Sequence, residues 1–145
     1  MRIIRAGSTG EEVRDVQRRL LALGARIDAG ELGGTFGSST EDAVRAFQRG
    51  RSLPADGIVG PDTWAALVEA WYRLGDRTLY LRAPMYRGDD VRDLQRRLNE
   101  LGFDAGKEDG ILGRRTDEAI RSFQRNVAAE PDGIAGPETI RMLGR

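Results

Sequence analysis

Apolar residues recur along this chain at helical intervals. Val13, Val16, Leu20 and Leu23 fall three and four apart, as do Val91, Leu94, Leu98 and Leu101, with charged residues between them. That spacing predicts one apolar stripe on each of two amphipathic helices. Gly24 and Gly102 follow the last apolar positions and predict where those helices stop. A second helix is predicted around Ala43, Val44 and Phe47, and again around Ala119, Ile120 and Phe123. A third carries Trp64, Leu67 and Val68, and again Ile140 and Leu143. Each third helix opens on Gly-Pro-x-Thr, where proline suits the first helical position because the amide it lacks would have no partner there. Sustained alternation is missing, although Thr78 to Leu81 has the composition of a brief strand.

The doubling is an internal repeat. Gly10 to Leu20 (GEEVRDVQRRL) returns as Gly88 to Leu98 (GDDVRDLQRRL), Gly37 to Arg49 returns as Gly113 to Arg125, and Asp56 to Thr63 (DGIVGPDT) returns as Asp132 to Thr139 (DGIAGPET). The blocks keep their order and the first unit carries two extra residues between Ala25 and Gly34, so the chain reads as one domain written twice and not as a solenoid. The expected organisation is a domain over 1–70, an ordered linker over 71–86 and a second domain over 87–145. Units of this size bury only about 60% of their unfolded surface and would profit from docking on one another. Trp71 to Tyr86 contains Trp71, Tyr72, Tyr80 and Tyr86, where a mobile tether would carry glycine and serine. The expectation is an all-α chain whose two units pack through this aromatic segment.

Composition narrows the chemistry. Histidine and cysteine are both absent, which removes thiolate and imidazole zinc sites and every Ser-His or Cys-His nucleophile. No carboxylate stands alone in an apolar context, so general acid–base catalysis has nothing specific to rest on. We expect a chain that is not itself an enzyme and needs no cofactor or metal. Basic and acidic residues number 23 each, so no global field draws the chain to nucleic acid. All the basic residues except Lys107 are arginines; most read as solvated helix decoration, yet their forks suit carboxylates. No run approaches the roughly 18 apolar residues of a membrane span. The start, Met1 to Gly7, lacks the apolar middle of a secretory signal. The location is then cytoplasmic if Met1 is the native start, and cell wall or exterior if a signal was trimmed.

One motif occurs four times, as Gly33 to Thr40, Asp56 to Thr63, Asp109 to Thr116 and Asp132 to Thr139, each ahead of a helix. Asp-Gly is turn chemistry: the carboxylate accepts from nearby amides while glycine tolerates positive φ. The equal spacing within each unit suggests two loops side by side, exchanging backbone bonds as a clasp, with each threonine hydroxyl serving orphan amides of a first helical turn. A calcium loop would need alternating oxygen ligands and a distal glutamate, which are missing. Gln17, Gln48, Gln95 and Gln124 adjoin core positions, and a structural bond from their amides to loop backbone outweighs ligand contact.

The ordered blocks, Gly-x-x-Val-x-x-Leu/Val-Gln-x-x-Leu, then Gly-x-x-Thr-x-x-Ala-Val/Ile-x-x-Phe-Gln, then Asp-Gly-Ile-x-Gly-Pro-x-Thr, closely resemble the peptidoglycan-binding domain that accompanies bacterial cell-wall hydrolases. Both units match almost end to end. The stretch from Glu69 to Tyr80 looks like the join in actinobacterial N-acetylmuramoyl-L-alanine amidases that carry two such domains ahead of a zinc domain. The resemblance implies a three-helix orthogonal bundle per unit and a shallow groove for glycan or stem peptide. It implies ligand contacts at the loop–helix junctions: Phe36, Thr40, Asp56, Ile58 and Trp64 in the first unit, and Leu112, Thr116, Asp132, Ile134 and Ile140 in the second. Gly33 departs from the usual aspartate, and Ala129-Glu130-Pro131 replaces Leu53-Pro54-Ala55, so the units are expected to differ in binding. The function so implied is non-catalytic recognition of peptidoglycan or its precursors, targeting an amidase. The alternative is a cytoplasmic protein-interaction or precursor-sensing module.

Overall fold

The three-and-four spacing is realised as amphipathic helices that bury the expected faces. The computed structural model describes residues 3–144; Met1, Arg2 and Arg145, on which the reading of the chain ends partly fell, lie outside the described residues. Among the described residues six helices follow in order: α1 (Glu11–Ala22), α2 (Ser38–Gly50), α3 (Pro61–Trp71), α4 (Asp89–Glu100), α5 (Arg114–Asn126) and α6 (Pro137–Leu143). A single 3-10 turn, Ala29–Glu31, lies in the loop that is two residues longer in the first unit. No strand occurs among the described residues, so the architecture is all-α, with two tandem bundles of three helices.

Helix boundaries follow the local signals. Gly24 and Gly102 adopt φ of 94° and 92° just past α1 and α4, a conformation that a side chain would strain. Pro61 and Pro137 are the first residues of α3 and α6. Leu23 and Leu101, expected on the inner stripe, are instead exposed: each is the residue that ends its helix, where the side chain swings off the face. Val68 is exposed as well, because α3 turns Thr63, Trp64, Leu67 and Ala70 inward.

The chain divides between Trp71 and Tyr72 into two units, each with its own interior. In the first, Ile4, Val13, Val16, Leu20, Phe36, Val44, Val59 and Leu67 form the core, and α1 packs on both α2 and α3. In the second, Leu79, Val91, Leu94, Leu98, Leu112, Ile120 and Phe123 take the corresponding places. Residues 72–86 belong to this second unit. Leu79 and Tyr86 are buried in its core, the Tyr80 and Tyr86 rings meet edge-on at 5.4 Å, and the Arg77 guanidinium stacks 3.7 Å over the Tyr72 ring. Arg77 also grips Asp90 at the start of α4, with Nε 2.8 Å from Oδ2 and Nη2 3.1 Å from Oδ1. The short strand expected at Thr78 to Leu81 reduces to one bridge, Leu79 to Ala135.

The clasp differs from the expected one. The two motif loops of a unit do not pair with each other; both pair with the segment that precedes the unit's first helix. In the first unit Ile4 bridges Val59 (N–O 3.1 and 2.8 Å) and Thr9 bridges Thr35. In the second, Leu79 bridges Ala135 (3.1 and 2.7 Å) and Arg87 bridges Ile111. Ile4 and Leu79 are fully buried, and burying them carries their backbone groups between the loops, where those groups need partners.

Candidate functional site

Each loop–helix junction is organised by one buried glutamine from the preceding helix. Gln48, on α2, donates from Nε2 to Asp56 Oδ1 (2.9 Å), Ile58 O (2.9 Å) and Thr63 Oγ1 (3.1 Å), while its Oε1 accepts from Gly57 N (3.0 Å). Gln124 repeats this with Asp132, Ile134, Thr139 and Gly133, and Gln95 repeats it with Asp109, Ile111, Thr116 and Gly110. The glutamines are about 1% exposed, so the structural role expected for them holds. The aspartates also accept from the amide two residues on, at 2.9–3.0 Å, which closes the turn. Gly57 and Gly133 each sit at φ 75°, a conformation that strains any side chain, so glycine is favoured there. The threonine hydroxyls meet the glutamines and not the orphan helix amides.

The junction at Gly33 is built differently. Without an aspartate, Gln17 Nε2 turns to Glu31 O (2.9 Å), Thr35 O (3.0 Å) and Thr40 Oγ1 (3.0 Å), and Gly34 N bonds Glu31 O. Gln17 Oε1 is left buried without a partner among the described residues. The Glu31 carboxylate, positioned by the 3-10 turn, moves onto the start of α2. It accepts from Gly37 N (3.1 Å), Ser39 N (3.2 Å), Thr40 N (2.9 Å) and Thr40 Oγ1 (2.7 Å). Desolvation raises its pKa, but the bonds from Thr40 and Ser39 outweigh that and hold it down at about 2. Periodicity and motif spacing do not single out this residue; the local signal is a glutamate two positions ahead of a motif that carries Gly33 where its three counterparts carry aspartate.

A depressed folded-state pKa contributes stability that is present above the unfolded value and is lost as pH falls toward the folded one. The first unit is therefore expected to lose stability between the ordinary glutamate value of 4.5 and about 2. After discounting for solvent screening the loss is on the order of 1–2 kcal/mol. Glu31→Gln should flatten this dependence in thermal unfolding followed by tryptophan fluorescence, since both tryptophans, Trp64 and Trp71, belong to the first unit. An unchanged pH profile would remove Glu31 from the capping role.

The ten residues singled out by resemblance fall into two groups. Phe36, Thr40, Leu112, Thr116 and Trp64 are buried, and Thr40 and Thr116 spend their hydroxyls on the glutamines and loops. Asp56 and Asp132 stand at the surface with one oxygen committed to the turn, while Ile58 and Ile140 are half-buried and Ile134 is 43% exposed. The Ile58 amide and the Gln48 side chain hold the Asp56 carboxyl below its usual range, so it stays ionised. Separately, an apolar cleft of about 440 Å³ opens beside Phe47 in the first unit. Among the described residues no group of three or more His, Cys, Asp and Glu could hold a metal ion, and no helix is long and apolar enough to cross a membrane.

The same two segments that fold as repeated bundles, residues 9–67 and 87–143, each match the family model described as "Putative peptidoglycan binding domain". The chain belongs to the peptidoglycan-binding domain family. The chain is 49% identical over 142 residues to the N-acetylmuramoyl-L-alanine amidase CwlM of Mycobacterium tuberculosis, covering 97% of this chain and 34% of that protein. It is 31% identical to the N-acetylmuramoyl-L-alanine amidase CwlL of Bacillus licheniformis, covering 94% of this chain and 44% of that one. The chain thus spans less than half the length of these curated relatives. Among solved structures, the SleB N-terminal domain matches 49% of this chain and 94% of its own at 37% identity, with a TM-score of 0.46.

Proposed function

We propose that this pair of peptidoglycan-binding domains attaches non-covalently to peptidoglycan, performs no catalytic step itself, and targets a cell-wall amidase of which it forms part. The observation that carries the reading is the duplication of the family domain, with three of its four loop–helix junctions built on the same Gln–Asp–Thr arrangement. The likeness over nearly the full chain to two amidases supports the targeting role. The absence of His and Cys from the sequence, with Glu31 and Asp56 held ionised and committed to amides, supports a non-catalytic part. Ile134, Ile58 and Ile140 supply apolar edges at the junctions, and the exposed arginine forks suit stem-peptide carboxylates.

Two weak sites on one chain gain from effective concentration. The chain is therefore expected to sediment with purified insoluble peptidoglycan at tens of micromolar. Ile134→Glu should reduce the bound fraction without changing helical circular dichroism. A protein that stays wholly in the supernatant sinks the reading; retention of full binding by the Ile134 variant moves the contact surface elsewhere.

A further inference from the structure

Because the units are copies, each position has an internal control. Past the glycine that ends the first helix, Ala25 N returns to Leu20 O at 3.0 Å, and Phe103 N returns to Leu98 O at 2.9 Å. Ala25 and Phe103 thus hold the same backbone place. In the second unit the Phe103 ring meets Phe123 edge-on, with centroids 5.6 Å apart and planes at 84°, and Phe123 is 4% exposed. In the first unit Phe47 stands for Phe123, alanine stands for Phe103, and Phe47 is only half-buried. What remains is the cleft of about 440 Å³, walled by Leu20, Leu23, Ala25, Ala43, Ala46 and Phe47.

We propose that this cleft is a docking site for an aromatic side chain presented by a protein partner. The occupant is defined by the chain itself: a phenyl ring at the matching place in the second unit packs against Phe123, the counterpart of Phe47. Edge-to-face pairing with Phe47 would reproduce the contact made there. Sugar hydroxyls would lose hydration against the apolar floor, where the side chains offer no hydrogen-bonding group, which sets the cleft apart from the wall binding proposed above. Its rim carries one cation and one anion, Arg26 and Asp42. Neither makes an ion pair among the described residues. The fitting partner segment therefore has its aromatic residue between an acidic and a basic neighbour.

The test is an NMR titration of the whole chain with N-acetyl-L-phenylalaninamide, for which a millimolar Kd is expected from so few buried atoms. Shifts should concentrate on Leu20, Leu23, Ala43 and Phe47 and spare Leu98 and Phe123, with N-acetyl-L-alaninamide giving none. The capped tripeptide Glu-Phe-Lys should bind about threefold more tightly than Gly-Phe-Gly through the rim charges. Ala25→Phe should fill the cleft, abolish the shifts and raise the tryptophan-reported unfolding midpoint. Should that variant fail to fold, Ala25→Leu must still weaken the probe. No shifts at the cleft in the natural chain, equal affinity for the two tripeptides, or undiminished binding by a folded filled variant overturns the proposal. A folded Ala25→Phe that no longer sediments with peptidoglycan also overturns it, by giving the cleft to the wall polymer, while leaving the wall-binding reading standing.

Discussion

Gln124→Leu is expected to destabilise the second unit by about 3–5 kcal/mol. Leucine matches the buried volume roughly, so the loss comes from polarity and not from a cavity. The Thr139 hydroxyl, Ile134 O and the buried Gly133 amide all lose their partner at once. Asp132 keeps the Ile134 amide. Each buried orphan costs about 1–3 kcal/mol, because water cannot reach it. Urea unfolding together with amide exchange along α5 and α6 would measure this. A loss under about 1 kcal/mol would show that the loop holds its shape without the glutamine. The equivalent change at Gln17 should cost less: its oxygen already lacks a partner, and the Glu31 carboxylate keeps α2 capped.

Asp90→Ala is expected to cost a similar amount, about 3–5 kcal/mol, by a different route. The Asp90 side chain is fully buried, and it binds both Arg77 and the Val91 amide. Removing the carboxylate leaves a guanidinium largely shielded from water, held only by Arg87 O and the faces of Tyr72 and Tyr86. Combining Asp90→Leu with Arg77→Met should recover most of the loss, since a buried pair replaced whole is near neutral where a broken one is not. If the double variant is no better than Asp90→Ala, the damage lies in packing of the 72–86 segment and not in the stranded charge. Denaturant midpoints of the three proteins decide it.

The helices were legible because their determinants are local. Periodicity, a glycine just past each first helix and a proline opening each third lie within a turn or two of the boundary they set. Burial was legible except at the edges: Leu23, Leu101 and Val68 follow the stripe by spacing but lie where a helix has ended or turned. The junction glutamines were legible as structural because an amide beside a core position must find partners. The identity of those partners was less so. Ile4 and Leu79 pair with Val59 and Ala135 across long sequence separations, and no period or composition encodes such a pairing. Resemblance marked the loop–helix junctions as a whole, without separating residues such as Phe36 and Leu112, which the core consumes, from Ile134, which solvent reaches. Glu31 escaped for a related reason: its role exists only once an insertion folds back on the following helix.

The first loop reaches a closed turn by a second route. Glu31 caps α2 from outside the motif, and Gly33, with open space around it, takes the place that an aspartate fills in the three sibling loops. Two copies of one domain therefore share a fold without sharing every bond that holds it.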